Sequence, residues 1–129
     1  MQEITINAEL RQNHLAALTE EASRQMYDRV LAQCRDRPGG LRASDQDMIF
    51  DLCQAEDVKT ALREDIRKRG VMVETRNGRQ VFKKENPAMA RMCRYAELQR
   101  KIRADLGLIV KRPADAAAAQ EEEDDFGAF

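Results

Sequence analysis

The sequence has no Trp, two Tyr and four Phe, so aromatics make up only 5% of the chain. With 35% charged residues alongside, that scarcity predicts a small core, much solvated helix surface and a gain in stability from self-association. His14 is the only histidine, and Cys34, Cys53 and Cys93 are widely spaced with no CxxC pair. A zinc site needs a denser set of ligands, so neither metal nor cofactor is expected, and the cysteines read as reduced and buried in a cytosolic protein. No apolar run approaches the roughly 18 residues of a membrane span. "MQEITINAELRQ" lacks the basic and apolar regions of a signal peptide, so a soluble intracellular protein is expected.

Signatures of catalysis are missing too. The chain has no Gly-rich phosphate loop, no GxSxG and no HExxH. Cys34 or Cys53 could act as a nucleophile only with His14 beside it, and no spacing places them together; His14 reads as an ordinary surface or interface residue. Asp45, Asp47 and Asp51 gather near one helix start, where the macrodipole favours acids with or without a metal. No enzyme is expected.

What is present is charge, unevenly distributed. The formal net charge is −1, yet residues 59–112 hold 16 Lys/Arg against 6 Asp/Glu, while residues 113–129 hold 6 acids and no base. A basic body followed by an acidic tail is an argument about partners.

Three helical stretches are predicted. The first lies within Asn7–Arg35, best patterned at Met26, Tyr27, Val30, Leu31 and Cys34. "RDRPGGLRAS" breaks it, because Pro38 and Gly39-Gly40 disfavour helix. The second runs from Asp45 to Arg69 with Ser44 as a capping-box start, an apolar stripe at Ile49, Leu52, Ala55, Val58, Leu62 and Ile66, and a stop at Gly70. The third starts at Pro87 with Asn86 as its cap and carries Met92, Tyr95, Leu98, Ile102 and Leu106 before Gly107 ends it. Between the last two, "VMVETRNGRQVF" holds the Asn77-Gly78 hairpin signal. Two strands alone are marginal, so the hairpin should lean on helices or on a neighbouring subunit.

The fold expected is mainly α: a long antiparallel helical pair joined by a short β-hairpin, preceded by an N-terminal helix and followed by a disordered acidic C-terminal tail. The corresponding divisions are residues 1–43, a helical segment and Pro/Gly linker; 44–112, the helix–hairpin–helix core; and 113–129, the tail, which ends in an apolar hook of Phe126 and Phe129.

Basic residues at the end of the second helix, Arg63, Arg67, Lys68 and Arg69, are adequately explained as partners of the helix dipole. Arg76 and Arg79 beside the hairpin turn, followed by Lys83 and Lys84, have no such explanation and suit phosphate. Arg94 and Lys101 share a side of the third helix, whereas Arg100 and Arg103 point elsewhere, which disfavours one groove-reading helix and suits basic sides made contiguous by assembly. A winged-helix regulator and a purely structural interaction protein are the alternatives.

The order of local signals carries a resemblance. A capped helix opening at an Asp, Leu52-Cys53-x-Ala55, a helix end at Gly70, an apolar strand, an Asn-Gly turn, Asn86-Pro87-Ala88, and a basic helix closed by Leu106-Gly107-Leu108 resemble the P27 family of phage terminase small subunits. Residues 44–112 carry the likeness. Members often show His-Pro where this chain has Asn86-Pro87, and a Pro-Ser-Ala-Arg-like stretch where it has Ile109-Val110-Lys111-Arg112-Pro113. The resemblance implies a non-catalytic packaging component of the host bacterial cytoplasm. It would assemble as a ring, recognise double-stranded viral DNA, and regulate the ATPase and nuclease of a large terminase subunit. Phe126 and Phe129 are the expected contacts to that large subunit.

Overall fold

The computed structural model describes residues 4–108, which form four helices and one hairpin. In chain order these are α1 (Ala8–Ala17), α2 (Glu21–Asp36), α3 (Asp45–Arg69), β1 (Met72–Asn77), β2 (Gln80–Glu85) and α4 (Pro87–Asp105). The expected acidic tail, with Phe126 and Phe129, lies outside the described residues.

α3 has the bounds that its start and stop signals predict, and its 25 residues span about 37 Å at ~1.5 Å per residue. Ser44 is the N-cap by position, but its hydroxyl makes no cap bond. Asp45 instead fixes the loop ahead of the helix: its carboxylate, 1% exposed, accepts the Arg42 N–H at 2.7 Å. At the other end Gly70 has φ +87 and ψ 177, a conformation outside the left-handed helical well and essentially restricted to glycine. There the chain turns into the hairpin.

α4 returns antiparallel to α3. Asn86 caps it as expected, accepting the Ala88 N–H at 3.0 Å, and its fully buried amide also donates to the Gly70 carbonyl at 3.0 Å. Midway, buried Gln99 donates to the Leu52 carbonyl at 3.3 Å and the Glu56 carboxylate at 2.8 Å while accepting from Lys59 at 2.8 Å. Burial alone would raise the Glu56 pKa, but the Gln99 bond and the charges of Lys59 and Arg63 outweigh it and hold the carboxyl below its usual range. Gly107, at φ +72, closes the helix.

The single expected N-terminal helix is two. α1 ends at Ala17, and the break is held by α3: the Asp57 carboxylate accepts the N–H groups of Thr19 at 2.8 Å and Glu20 at 3.2 Å. Those donors sit at the start of α2, so a distant side chain does the work of a local cap. α1 and α2 are further tied by a bidentate Arg11–Asp28 pair, both bonds 2.8 Å.

All five residues of the predicted α2 stripe are buried, and they form one core with Leu18, Ile49, Leu52, Cys53, Ile102 and Leu106. His14 belongs beside it rather than on the surface. It is 8% exposed, bonded to the Tyr27 hydroxyl at 2.8 Å and stacked on Phe50 with ring centres 4.4 Å apart. Gln46 completes the arrangement by exchanging bonds with the backbone of Asn7 at 2.9 and 3.0 Å.

Arg37 joins three elements. It leaves the end of α2, forms a buried ion pair with Asp45 at the start of α3, and donates to the Leu106 carbonyl at 2.6 Å at the end of α4. The Pro-Gly-Gly linker is thereby pinned to the foot of the helical pair.

That coverage stops halfway. Ile49, Leu52 and Ala55 on α3 and Ile102 on α4 are buried, but Val58, Leu62, Ile66, Met92 and Tyr95 are only half-buried, and Leu98 is 43% exposed. α1 and α2 reach the lower part of the pair only, so the upper stripes have each other and solvent. Cys93, expected to be buried, is exposed; Cys34 and Cys53 are buried.

Candidate nucleic-acid interface

The hairpin grows from the top of the α3–α4 pair. Its register pairs Met72 with Glu85, Glu74 with Lys83, Arg76 with Val81 and Asn77 with Gln80. The connection is therefore Gly78-Arg79, one residue later than the Asn-Gly signal suggests. Gly78 has φ +65 and no other residue among those described except glycines has positive φ, the pattern of a type II′ connection with Gly in first place. Asn77 stays in the strand. Arg79 sits in the turn itself, at the tip.

Directly opposed residues share a face, so the pleat sorts the cations. Arg76 and Lys83 lie on one face with Met72, Glu74, Val81 and Glu85, all exposed. Lys84 lies on the other, with Val73, Thr75 and Phe82. β2 is exposed along its whole length, so of the two expected supports the hairpin does not use the helices of its own chain; its base is held by the Asn86 N–H to the Val71 carbonyl at 2.6 Å. Val71, Met72, Val81 and Phe82 are left 44–52% exposed.

Ion pairing separates the two basic groups that the sequence offers. At the end of α3, Arg63 pairs with Glu56, Arg67 and Lys68 with Glu64, and Arg69 with Asp65. Arg67 and Arg69 have their pKa values raised first of all by hydrogen bonds to those carboxylates. Arg76, Arg79, Lys83 and Lys84 form no ion pair among the described residues, although Glu74 stands across from Lys83. A phosphate approaching the hairpin displaces no internal partner, whereas one approaching α3's end must compete with three carboxylates.

Arg94 and Lys101 are exposed on α4. The structure does not gather them with the hairpin in one subunit: Lys101 lies 14 residues beyond Pro87, about 21 Å along the helix at ~1.5 Å per residue. Arg91, which sequence reasoning passed over, stands one turn before Arg94, and the two edge a groove of about 380 Å³ formed with Val58, Leu62, Tyr95 and Leu98. Their i,i+3 spacing was the available signal. A second groove of about 610 Å³ continues from the same Val58, Tyr95 and Leu98 toward Ile102, Asp51 and Asp57.

The nucleophile pairing considered from the sequence does not form among the described residues. His14 engages Tyr27, not a cysteine. Burial pushes the Cys34 thiol up and the Cys53 thiol up to about 12, which disfavours the thiolate that a nucleophile needs. Among the described residues no three His, Cys, Asp or Glu side chains converge as a metal would require, and no helix is long and apolar enough to cross a membrane. α3 enters the hairpin as one unbroken 25-residue helix, without the short turn that a helix-turn-helix pair requires.

A family model described as phage terminase, small subunit, matches residues 22–123. The chain belongs to that family. The match starts at α2 and takes in α3, the hairpin and α4, so it is wider than the 44–112 span that carries the local resemblance. No curated protein and no solved structure matches the chain.

Proposed function

We propose that this terminase small subunit is a non-catalytic, oligomeric DNA-binding protein of the P27 kind, acting in the cytoplasm of the infected bacterium. In this reading it recognises double-stranded viral DNA and regulates the large terminase subunit during genome packaging. Family membership supports the packaging role. The contrast in ion pairing carries the DNA assignment: the hairpin cations have no acid of their own among the described residues, and those at the end of α3 do.

Arg76, Arg79 and Lys83 make the principal phosphate contacts, with Lys84 on the opposite face contributing less. Arg94 and Lys101 join them through neighbouring subunits rather than within one chain. The exposed Val71 and Met72 at the base of the hairpin, Phe82 on the face opposite Met72 and Val81 nearer the tip give it apolar surface suited to contact between copies in a ring. Residues 44–112 form the DNA-binding and assembly unit, and Phe126 and Phe129 engage the large subunit.

The test is a salt series of duplex binding with Arg76→Ala/Arg79→Ala. Affinity falls, and the slope of log K against log salt flattens by up to about 1.8 units, at ~0.9 for each phosphate no longer neutralised. Unchanged binding by the double variant removes the hairpin from the interface.

A further inference from the structure

The upper half of the α3–α4 pair is an apolar groove without an occupant among the described residues. Val58, Leu62, Tyr95 and Leu98 line it, and Arg91 and Arg94 edge it. Neither arginine forms an ion pair among the described residues. Any occupant therefore has to combine an apolar anchor with adjacent negative charge.

The chain carries such a segment. Glu121, Glu122, Glu123, Asp124 and Asp125 run directly into Phe126, with no base from Pro113 onward. Phe126 lies eighteen residues past Leu108, a reach of up to about 60 Å at ~3.3–3.6 Å per residue. From Leu108 back to Arg91 is 17 residues of α4 and its cap, only about 25 Å. Length permits the return, even with a turn past Arg91 that sets the acids beside the arginines and Phe126 beside Tyr95 and Leu98, and the pairing of acids with a ring complements the pairing of arginines with an apolar groove.

We propose that the acidic segment Glu121–Phe126 of the same polypeptide docks in the α3–α4 groove, Phe126 against Tyr95 and Leu98 and the carboxylates against Arg91 and Arg94. The segment assigned to the large subunit is thereby held on its own body until a partner takes it. The docked acids also lower the positive potential that DNA meets on α4.

The chain's lack of Trp supplies the assay. In full-length Phe126→Trp, the new indole is the only one, so its emission reports its surroundings directly. Docking gives a blue-shifted emission and weak quenching by acrylamide, a neutral quencher that the neighbouring acids do not repel. Adding Leu98→Asp, or separately Arg91→Glu/Arg94→Glu, returns the emission to that of a solvated indole. These positions are exposed, and an unchanged circular dichroism spectrum checks that each variant is folded. A solvated indole in the single variant overturns the proposal, as does a blue shift that both groove variants leave in place. A shift that appears only as concentration rises also overturns it, because the groove then belongs to a second copy. No DNA enters the measurement, so its failure leaves the hairpin assignment standing, and failure of the hairpin variant leaves the docking standing.

Discussion

Arg37→Met should be strongly damaging to the described fold. The guanidinium is 6% exposed and its partner Asp45 1%, so the variant leaves a carboxylate buried with only the Arg42 N–H for company. Breaking one side of a buried pair costs about 3–5 kcal/mol, most of it the penalty of the stranded charge. The remaining Arg42 bond argues for the lower end. The Leu106 carbonyl at the end of α4 also loses its 2.6 Å donor, worth about 1 kcal/mol. A total near 3–4 kcal/mol is about a fifth to four fifths of the ~5–15 kcal/mol that holds a domain of this size together. Thermal unfolding at fixed protein concentration would read it as a fall of roughly 12–30 °C. Urea titration would show a midpoint shift of about 2 M with little change in slope. Arg37→Met/Asp45→Leu should recover much of the loss, since an apolar pair of similar volume strands no charge. A loss below about 1 kcal/mol, or no recovery in the double variant, would refute the assignment of Arg37 as the clamp of the three elements.

Further outcomes follow from other contacts. Gly70→Ala should cost about 1–3 kcal/mol through its φ of +87. A methyl there meets only the Met72 carbonyl at 3.7 Å, so a loss traced to steric clash would contradict this. Asp57→Ala should lose about 1–2 kcal/mol, the value of a helix cap, together with amide protection at Thr19 and Glu20. Burial works against Asp57's charge, but the neighbouring Ser23 hydroxyl and the two backbone N–H groups outweigh it and lower its pKa. Its contribution is therefore present above the unfolded carboxyl pKa of about 3.9 and is lost as pH falls through the lower folded value. Asp57→Asn should flatten that part of the acid denaturation curve. Deleting residues 115–129 should weaken capture of the large terminase subunit while leaving DNA affinity intact or raised; undiminished capture would remove the tail from that contact.

Local chemistry made much of this architecture legible. Asn86-Pro87, Gly70 and Gly107 act within a few residues of themselves, so the bounds of α3 and α4 could be read directly. The hairpin was legible too, but its turn moved by one residue because Gly78 alone supplies the positive φ that a type II′ connection needs. Long-range partners left no such trace. Nothing around Asp57 announces that it caps a helix some 37 positions earlier, and so the break after Ala17 was missed. Asp45 looked like one more acid at a helix start until Arg37 was seen beside it. His14 gave no sign of its Tyr27 and Phe50 neighbours. Periodicity identified the stripes of α3 and α4 but not their burial, because burial depends on whether α1 and α2 reach far enough to cover them. For the candidate interface, sequence supplied the cations and structure supplied their pairing, which is what separates the hairpin from the end of α3.

That separation is open to one direct measurement. Duplex binding across a salt series should be compared for Arg76→Ala/Arg79→Ala/Lys83→Ala and for Arg63→Ala/Arg67→Ala/Lys68→Ala, which remove the same formal charge. The hairpin variant should lose affinity at low salt and flatten the slope by as much as about 2.7 units, at ~0.9 per phosphate, while the α3 variant stays close to the unaltered protein. Equal losses in the two, or a larger loss at α3, would contradict the account.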